Sequence, residues 1–446
     1  MKDFRIDLPY NVDKIITTLQ KNGYEAYAVG GCVRDSILGR IPGDWDITTS
    51  AMPEETKALF QKTFDTGIEH GTVTVLLDGE GYEVTTYRID GEYEDSRHPK
   101  EVMFTRCLEE DLLRRDFTIN AMAYNHKNGL VDLFGGIEDI NNKVIRCVGD
   151  AHARFSEDAL RILRGIRFAA QLGFEIDEET KRGMQELAPT LKNISAERIQ
   201  VELVKTLVSD NPMLLYDAYN LGITAQFLPE FDCMMGTKQE NPHHKYTVGE
   251  HSLYALENVR NDKVLRLTML LHDVGKPSAK SIDENGVAHF YQHSLEGETI
   301  AKKIMKRLKF DNDTLNKVSK LVLFHDYRMP AIDKNVRRAV NRIGEELFPL
   351  YLEVSRADIL AQSGYEQDEK IKHLNMVEKI YKEIVEKGEC VSLKTLAVSG
   401  KDLIQAGMKP GKELGDKLAE LLEVVLDNPE LNTKEYLLSC VRDRIN

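Results

Sequence analysis

The sequence predicts an α+β chain in which a head with a small β-sheet is followed by a much longer helical remainder. Residues 1–145 alternate short β-type runs, Ala26–Val29, Trp45–Thr48, Thr72–Leu77 and Tyr82–Tyr87, with helical stretches. From about Glu157 the apolar positions take up helical spacing, and the text stays mostly helical from there on. The length of 446 residues exceeds what one ordinary core organises. Four parts are expected: a head at 1–145, a helical neck at 146–230, a helical body at 231–370 and a helical tail at 371–446.

Composition narrows the setting. With 42% hydrophobic and 30% charged residues the chain reads as soluble and globular. No apolar run approaches the roughly 20 residues of a membrane span. The opening MKDFRIDLPYNVDKII lacks the apolar stretch of a signal peptide, so a cytoplasmic protein with no membrane partner is expected. Six cysteines without a Cys-x-x-Cys pair argue for a reducing compartment and against a zinc ribbon. The net charge of −14 means that a nucleic-acid partner must be met by local basic patches.

In the head, Gly30-Gly31-Cys32-Val33-Arg34-Asp35 is followed by Gly43-Asp44-Trp45-Asp46-Ile47. A glycine pair suits close approach of backbone to a phosphate. Asp44 and Asp46, one residue apart in an extended segment, are expected on one strand face, where they can share divalent cations. Together they suggest metal-dependent transfer involving a nucleoside triphosphate. Such chemistry activates a 3′-hydroxyl and neutralises a departing pyrophosphate through metal ions held by carboxylates. Glu83, in Tyr82-Glu83-Val84-Thr85-Thr86-Tyr87-Arg88, supplies a third carboxylate, although an exposed strand residue fits the spacing as well. Arg114-Arg115-Asp116-Phe117-Thr118-Ile119-Asn120 adds forked donors for phosphate and a carboxylate able to accept from a ribose hydroxyl.

In the neck, Glu157-Asp158-Ala159-Leu160-Arg161 is expected on a helix, with Asp158 and Arg161 three apart on one face and Arg164 and Arg167 extending the row. Cytosine and adenine each present an amino donor beside a ring-nitrogen acceptor, whereas guanine and uracil present a carbonyl beside an N–H. A carboxylate next to a guanidinium therefore selects C and A, although on spacing alone an intrahelical ion pair is the commoner explanation. A further helix starts at Ser195-Ala196-Glu197-Arg198, capped by Ser195 or Asn193.

These motifs, with Glu197, Arg198 and Glu202, occur in the order seen in bacterial class II tRNA nucleotidyltransferases. The chain resembles the CCA-adding enzymes of the poly(A) polymerase/CCA family, within the polymerase-β-like nucleotidyltransferase superfamily. The resemblance implies Mg²⁺ held by Asp44 and Asp46, with Glu83 as third acidic residue. It implies contacts from Gly31, Arg34 and Arg115 to the incoming nucleotide. It makes Asp158 and Arg161, with Arg164 and Arg167 nearby, the protein template for CTP and then ATP, and tRNA the partner. Members that add only CC lack a flexible loop between the third carboxylate and the double arginine. Here Asp90–Pro99 reads as full length, which disfavours CC-only addition and leaves A-only addition and polyadenylation open.

The body contains His251, then His272-Asp273-Val274-Gly275-Lys276, then Asp358, four N/O ligands suited to a divalent metal. This set resembles the HD phosphohydrolase superfamily. It implies an HD-type body with a second divalent metal, His293 and His325 extending the site, and a metal-dependent phosphohydrolase as an alternative main activity; a degenerate scaffold is the competing reading. Lys302, Lys303, Lys306, Arg307 and Lys309 make a basic helical face, which is either an RNA contact or a solvated surface. The tail, through Gly400 and an amphipathic stretch at Leu414, Leu418, Leu421, Leu422 and Val425, resembles the tRNA-contacting tail of the family.

Overall fold

The apolar run Ala26–Val29 becomes β1, with all four side chains buried. The later head strands are β2 (Ile47–Thr49), β3 (Thr63–Gly67), β4 (Thr72–Leu77), β5 (Glu80–Thr86), β6 (Arg88–Asp90), β7 (Val102–Phe104), β8 (Met122–Asn125) and β9 (Gly129–Asp132). Seven of these form one sheet in the order β3-β4-β5-β2-β1-β8-β9, and β6 with β7 makes a separate antiparallel ribbon. Within the large sheet only β2 and β5 run parallel. The computed structural model describes residues 5–90, 102–241, 243 and 245–442, so Gly91–Pro99 of the expected loop lies outside the described residues.

Register explains how the sheet is covered on both sides. Val73, Val84, Ile47, Ala28 and Tyr124 align in one buried row across it. One residue along, the side chains turn to the opposite face. There Tyr27, Val29, Tyr87 and Ala123 pack with Leu112 of helix Leu108–Leu113. β2 begins at Ile47 rather than at Trp45, so Asp44 and Asp46 lie in its lead-in and not within the strand.

The neck helices are Ala151–Glu157, Leu160–Leu172, Glu178–Leu187, Ala196–Leu207 and Leu214–Asn220. The first two are separate, with Asp158 at the break in extended backbone (φ −139°, ψ 102°). The expected cap at Ser195 is met in position only: Ser195 precedes helix Ala196–Leu207 in extended backbone, but its side chain makes no capping hydrogen bond.

The chain divides into two compact units, Met1–Pro229 and Glu230–Asn446. In the second, Thr247 and Glu250 form a reciprocal cap that starts helix Val248–Glu257. Asp262 caps helix Lys263–Leu271. Gly275-Lys276-Pro277 opens a short helix, Lys276–Ala279, with its proline in the first turn, where the missing N–H costs nothing. Helices His293–Arg307, Asn312–Phe324, Asp333–Ile343, Phe348–Ala361 and Gln367–Glu386 follow, the last four around a core that includes Leu321, Val340, Phe348, Leu352 and Val377. A smaller core of Leu403, Leu421, Val425, Leu426 and Leu437 organises the C-terminal helices. Among the described residues no helix is long and apolar enough to cross a membrane.

Candidate active site and metal centre

Chain reversal at the end of β1 builds the first part of the head site. Gly30 has φ 83° and ψ −131°, a region that side chains make costly. A Cβ there would also lie 3.3 Å from Arg115 Nη1. Gly31 opens helix Gly31–Ile37 with a negative φ, and a Cβ on it would meet Arg34 Nη2 only at an ordinary 3.7 Å. The steric need for glycine therefore falls on Gly30.

Arg115 is held from below. Asp111, fully buried, accepts from Arg115 at 3.1 Å, from Arg114 at 2.8 and 3.0 Å and from the Thr48 hydroxyl at 3.1 Å. Burial pushes the Asp111 carboxyl up, and the Arg115 and Arg114 guanidinium groups bring it below its ordinary value. Arg115 acts in turn on Asp46, whose carboxyl is raised by desolvation and by the Asp44 charge, against the pull of Arg115.

Asp44, Asp46 and Glu83 are all exposed. In the parallel register of β2 with β5, Ile47, next to Asp46, pairs with Val84, next to Glu83. Among the described residues the three carboxylates do not gather their oxygens within 4.8 Å. Two carboxylates one residue apart, with a third on the neighbouring strand β5, are nevertheless a hard-oxygen donor set that fits a divalent cation.

Arg34 is buried and committed. Its guanidinium donates to Asp35 at 2.9 Å and to Asn120 Oδ1 at 2.7 Å, and it lies 5.0 Å from the centre of the Phe168 ring. Arg164 and Arg167 lie 5.2 and 4.3 Å from the same ring. Three guanidinium groups thus crowd one aromatic side chain, which itself packs edge-on against Phe117. Asp116, expected to be open to a ribose hydroxyl, is buried and accepts from Arg164 at 2.7 Å, Asn120 at 3.1 Å and the Phe117 N–H at 2.8 Å.

Asp158 and Arg161 do not share a helix face, which corrects the spacing argument. The Asp158 side chain accepts from the Leu160 N–H at 3.0 Å, a local bond that competes with continuous helix. Its ionic partner is Arg198, at 2.8 Å, not Arg161. Arg161 is buried, paired with Glu157 and donating to the carbonyls of Arg154 and Arg114 at 3.1 and 3.0 Å. Arg167 is buried against Glu202, with Nε 3.2 Å from the carboxylate. Arg164 keeps a third of its side chain exposed. Arg198, Glu202, Asp111 and Asn120 are thus site-building residues to which reading the sequence assigned no chemical task. Their signal was present for Arg198 and Glu202, which stand four apart on one helix face without pairing with each other.

The body brings six predicted ligands together. Nδ1 of His272, His293 and His325 each faces a backbone carbonyl, of Met269, Phe290 and Val322, at 2.8, 2.8 and 2.7 Å. Those bonds fix the proton on Nδ1 and turn the Nε2 lone pairs inward. His251 and His272 present Nε2 atoms 3.2 Å apart, and so do His293 and His325. Asp273 lies between the pairs, with Oδ2 3.4 Å from His272 Nε2 and Oδ1 3.4 Å from His325 Nε2. Asp358 closes the first group, 2.8 Å from His251 Nε2. Asp273 is buried with no well-directed hydrogen bond to either oxygen, although Lys276 Nζ stands 2.7 Å from Oδ2. Lone pairs converging on an underbonded buried carboxylate fit divalent cations.

Family models match the chain as a poly A polymerase head domain over residues 26–146 and as a tRNA nucleotidyltransferase domain over 284–441. A CCA-adding enzyme from Enterococcus faecalis is 36% identical over 430 residues, covering 95% of this chain and 93% of that protein. The chain belongs to the CCA-adding enzymes. It is accordingly a nucleotidyltransferase of the poly(A) polymerase family. A CCA-adding enzyme from Leuconostoc mesenteroides is 55% identical over 194 residues, a match spanning 48% of that protein. The crystal structure of the Bacillus stearothermophilus CCA-adding enzyme in complex with CTP superposes with a TM-score of 0.72 at 28% identity, covering 99% of this chain and 98% of that one.

Proposed function

We propose that the protein completes the 3′ end of tRNA with CCA, using CTP and ATP without a nucleic-acid template and releasing pyrophosphate. The observation that carries this reading is near full-length similarity, 36% over 430 residues, to CCA-adding enzymes, together with the carboxylates and arginines gathered around β2 in the head. Asp44, Asp46 and Glu83 would hold Mg²⁺, which would supply activation of the 3′-hydroxyl and charge neutralisation at the triphosphate. Arg115, fixed by Asp111 beside Gly30, places a cation for the triphosphate. Arg34 and Arg167, committed to Asn120 and Glu202, hold the floor on which Phe168 packs rather than reaching into solvent. Asp158 accepts from the exocyclic amine that cytosine and adenine share, and Arg164, which keeps a third of its side chain exposed, supplies the guanidinium side of the reader, while Arg161, committed to Glu157 and to the carbonyls of Arg154 and Arg114, braces the segment that carries Asp158. Incorporation of labelled CTP and ATP into tRNA lacking its 3′ end tests the reading: wild type incorporates both, and Asp44→Ala incorporates neither. Equal incorporation by the two proteins overturns it.

A second activity in the body is favoured by the six-ligand cluster around Asp273. Beside it lies a cavity of about 310 Å³, lined by Asp358 and His325 together with Tyr327, Arg328, Met329 and Lys370. We read the cluster as a divalent-metal centre of a phosphohydrolase, with the cavity for the organic part of a phosphate ester. Metal analysis of the purified chain and of His272→Ala separates this from bare scaffold: lower metal content in the variant supports it, and equal content refutes it.

A further inference from the structure

Asp158 sits where its own backbone does little to aim it. It lies between two helices, and its neighbours in sequence contribute one bond, from the Leu160 N–H to Oδ1. The remaining grip comes from forty residues away. Arg198 spans the carboxylate, with Nη2 2.8 Å from Oδ2 and Nη1 3.4 Å from Oδ1. One turn further along helix Ala196–Leu207, Glu202 pairs with Arg167 of helix Leu160–Leu172. Arg198 and Glu202 stand at i and i+4 with opposite charges, the arrangement that ordinarily makes an intrahelical pair. Each instead reaches across, the cation to Asp158 and the anion to Arg167. Two opposed ion pairs on one helix face hold register between that helix and the segment carrying Asp158, because a slip of either element brings like charges together.

The electronic count bears on base choice. A carboxylate has about four acceptor directions. Leu160 N–H and Arg198 Nη1 use two on Oδ1, and Arg198 Nη2 uses one on Oδ2. One acceptor direction on Oδ2 is left for an amino group from outside, and the Arg198 fork fixes where it points. Asp158 keeps about a fifth of its side chain exposed, so that direction is open.

We propose that Arg198 is a positioning residue for nucleotide selection: by gripping both oxygens of Asp158 it aims the one remaining acceptor at the exocyclic amine of cytosine or adenine. This rests on the reading of Asp158 as the residue that accepts from the base. Steady-state kinetics of the full chain with CTP, ATP, UTP and GTP, for wild type, Asp158→Ala, Arg198→Ala and Arg198→Lys, test it. Arg198→Ala raises KM for CTP and ATP about tenfold with kcat changed less than about threefold. It also raises incorporation of UTP and GTP relative to CTP and ATP about tenfold, and Arg198→Lys recovers part of the discrimination because it keeps one charged donor. Relaxed choice in Asp158→Ala with unchanged choice in Arg198→Ala overturns the positioning role and leaves the Asp158 reading standing. Unchanged choice in Asp158→Ala overturns the reading itself. If Arg198→Ala fails to fold, discrimination in Arg198→Lys equal to wild type counts against the proposal, because a single donor cannot span both oxygens.

Discussion

Asp111 and Arg115 form a buried ion pair at 3.1 Å, and through it the sheet fixes a cation beside the Asp46 carboxylate. Asp111 also takes hydrogen bonds from Thr48 of β2 and from Arg114, so one carboxylate ties helix Leu108–Leu113 to the strand that leads out of Asp44 and Asp46. Removing it strands two arginines. Asp111→Ala is expected to lower unfolding free energy by about 3–5 kcal/mol, the cost of breaking a buried pair from one side. Urea unfolding measures this.

Asp116 makes acid stability specific. Burial pushes its carboxyl up, but Arg164 and Asn120 hold it down at about 2, below the ordinary aspartate value. A folded pKa below the unfolded one adds stability that is fully present above the unfolded value and fades as pH falls through the folded value. The stability gap between wild type and Asp116→Asn should therefore be about 2 kcal/mol larger at pH 6 than at pH 2. Chemical unfolding at the two pH values checks it, and a gap independent of pH contradicts it.

Gly30 combines a positive φ with the nearby Arg115 guanidinium, so Gly30→Ala carries both backbone strain and displacement of Arg115. The expected cost is about 1–3 kcal/mol of stability. Nucleotidyl transfer should fall as well, with KM for the triphosphate rising. Gly31→Ala, whose new Cβ meets only an ordinary contact, should change stability by less than about 1 kcal/mol.

Strands β1 and β4 were legible at their full bounds because each is an apolar or alternating run closed by turn residues. The hairpin of β8 and β9 was not, since only five residues separate Met122–Asn125 from the Arg-Arg-Asp run and no long apolar stretch marks it. The break at Asp158 was hidden for a physical reason: no glycine or proline marks it, and it depends on a side-chain bond to Leu160 N–H and an ion pair forty residues away. Asp111, inside Leu-Glu-Glu-Asp-Leu-Leu, reads like any solvated acid on an amphipathic helix, and only tertiary packing buries it. The body histidines were legible because their order along the chain already grouped them, although the sharing of Asp273 between two histidine pairs was not.

Because Asp44 and Asp46 are exposed, removing either carboxylate should cost chemistry and not fold. Asp44→Ala and Asp46→Ala are each expected to reduce nucleotidyl transfer by at least about 10²-fold. Their unfolding free energies should stay within about 0.5 kcal/mol of wild type. Parallel activity and urea measurements separate the two effects.

CCA addition is tested by product length on tRNAs lacking all three, two or one of their terminal nucleotides, with CTP and ATP supplied separately and together. CTP alone should add two residues to the shortest tRNA, ATP alone should add one to the tRNA ending in CC, and both together should stop at CCA. Addition of A alone to every substrate, or continued growth into poly(A), would contradict it.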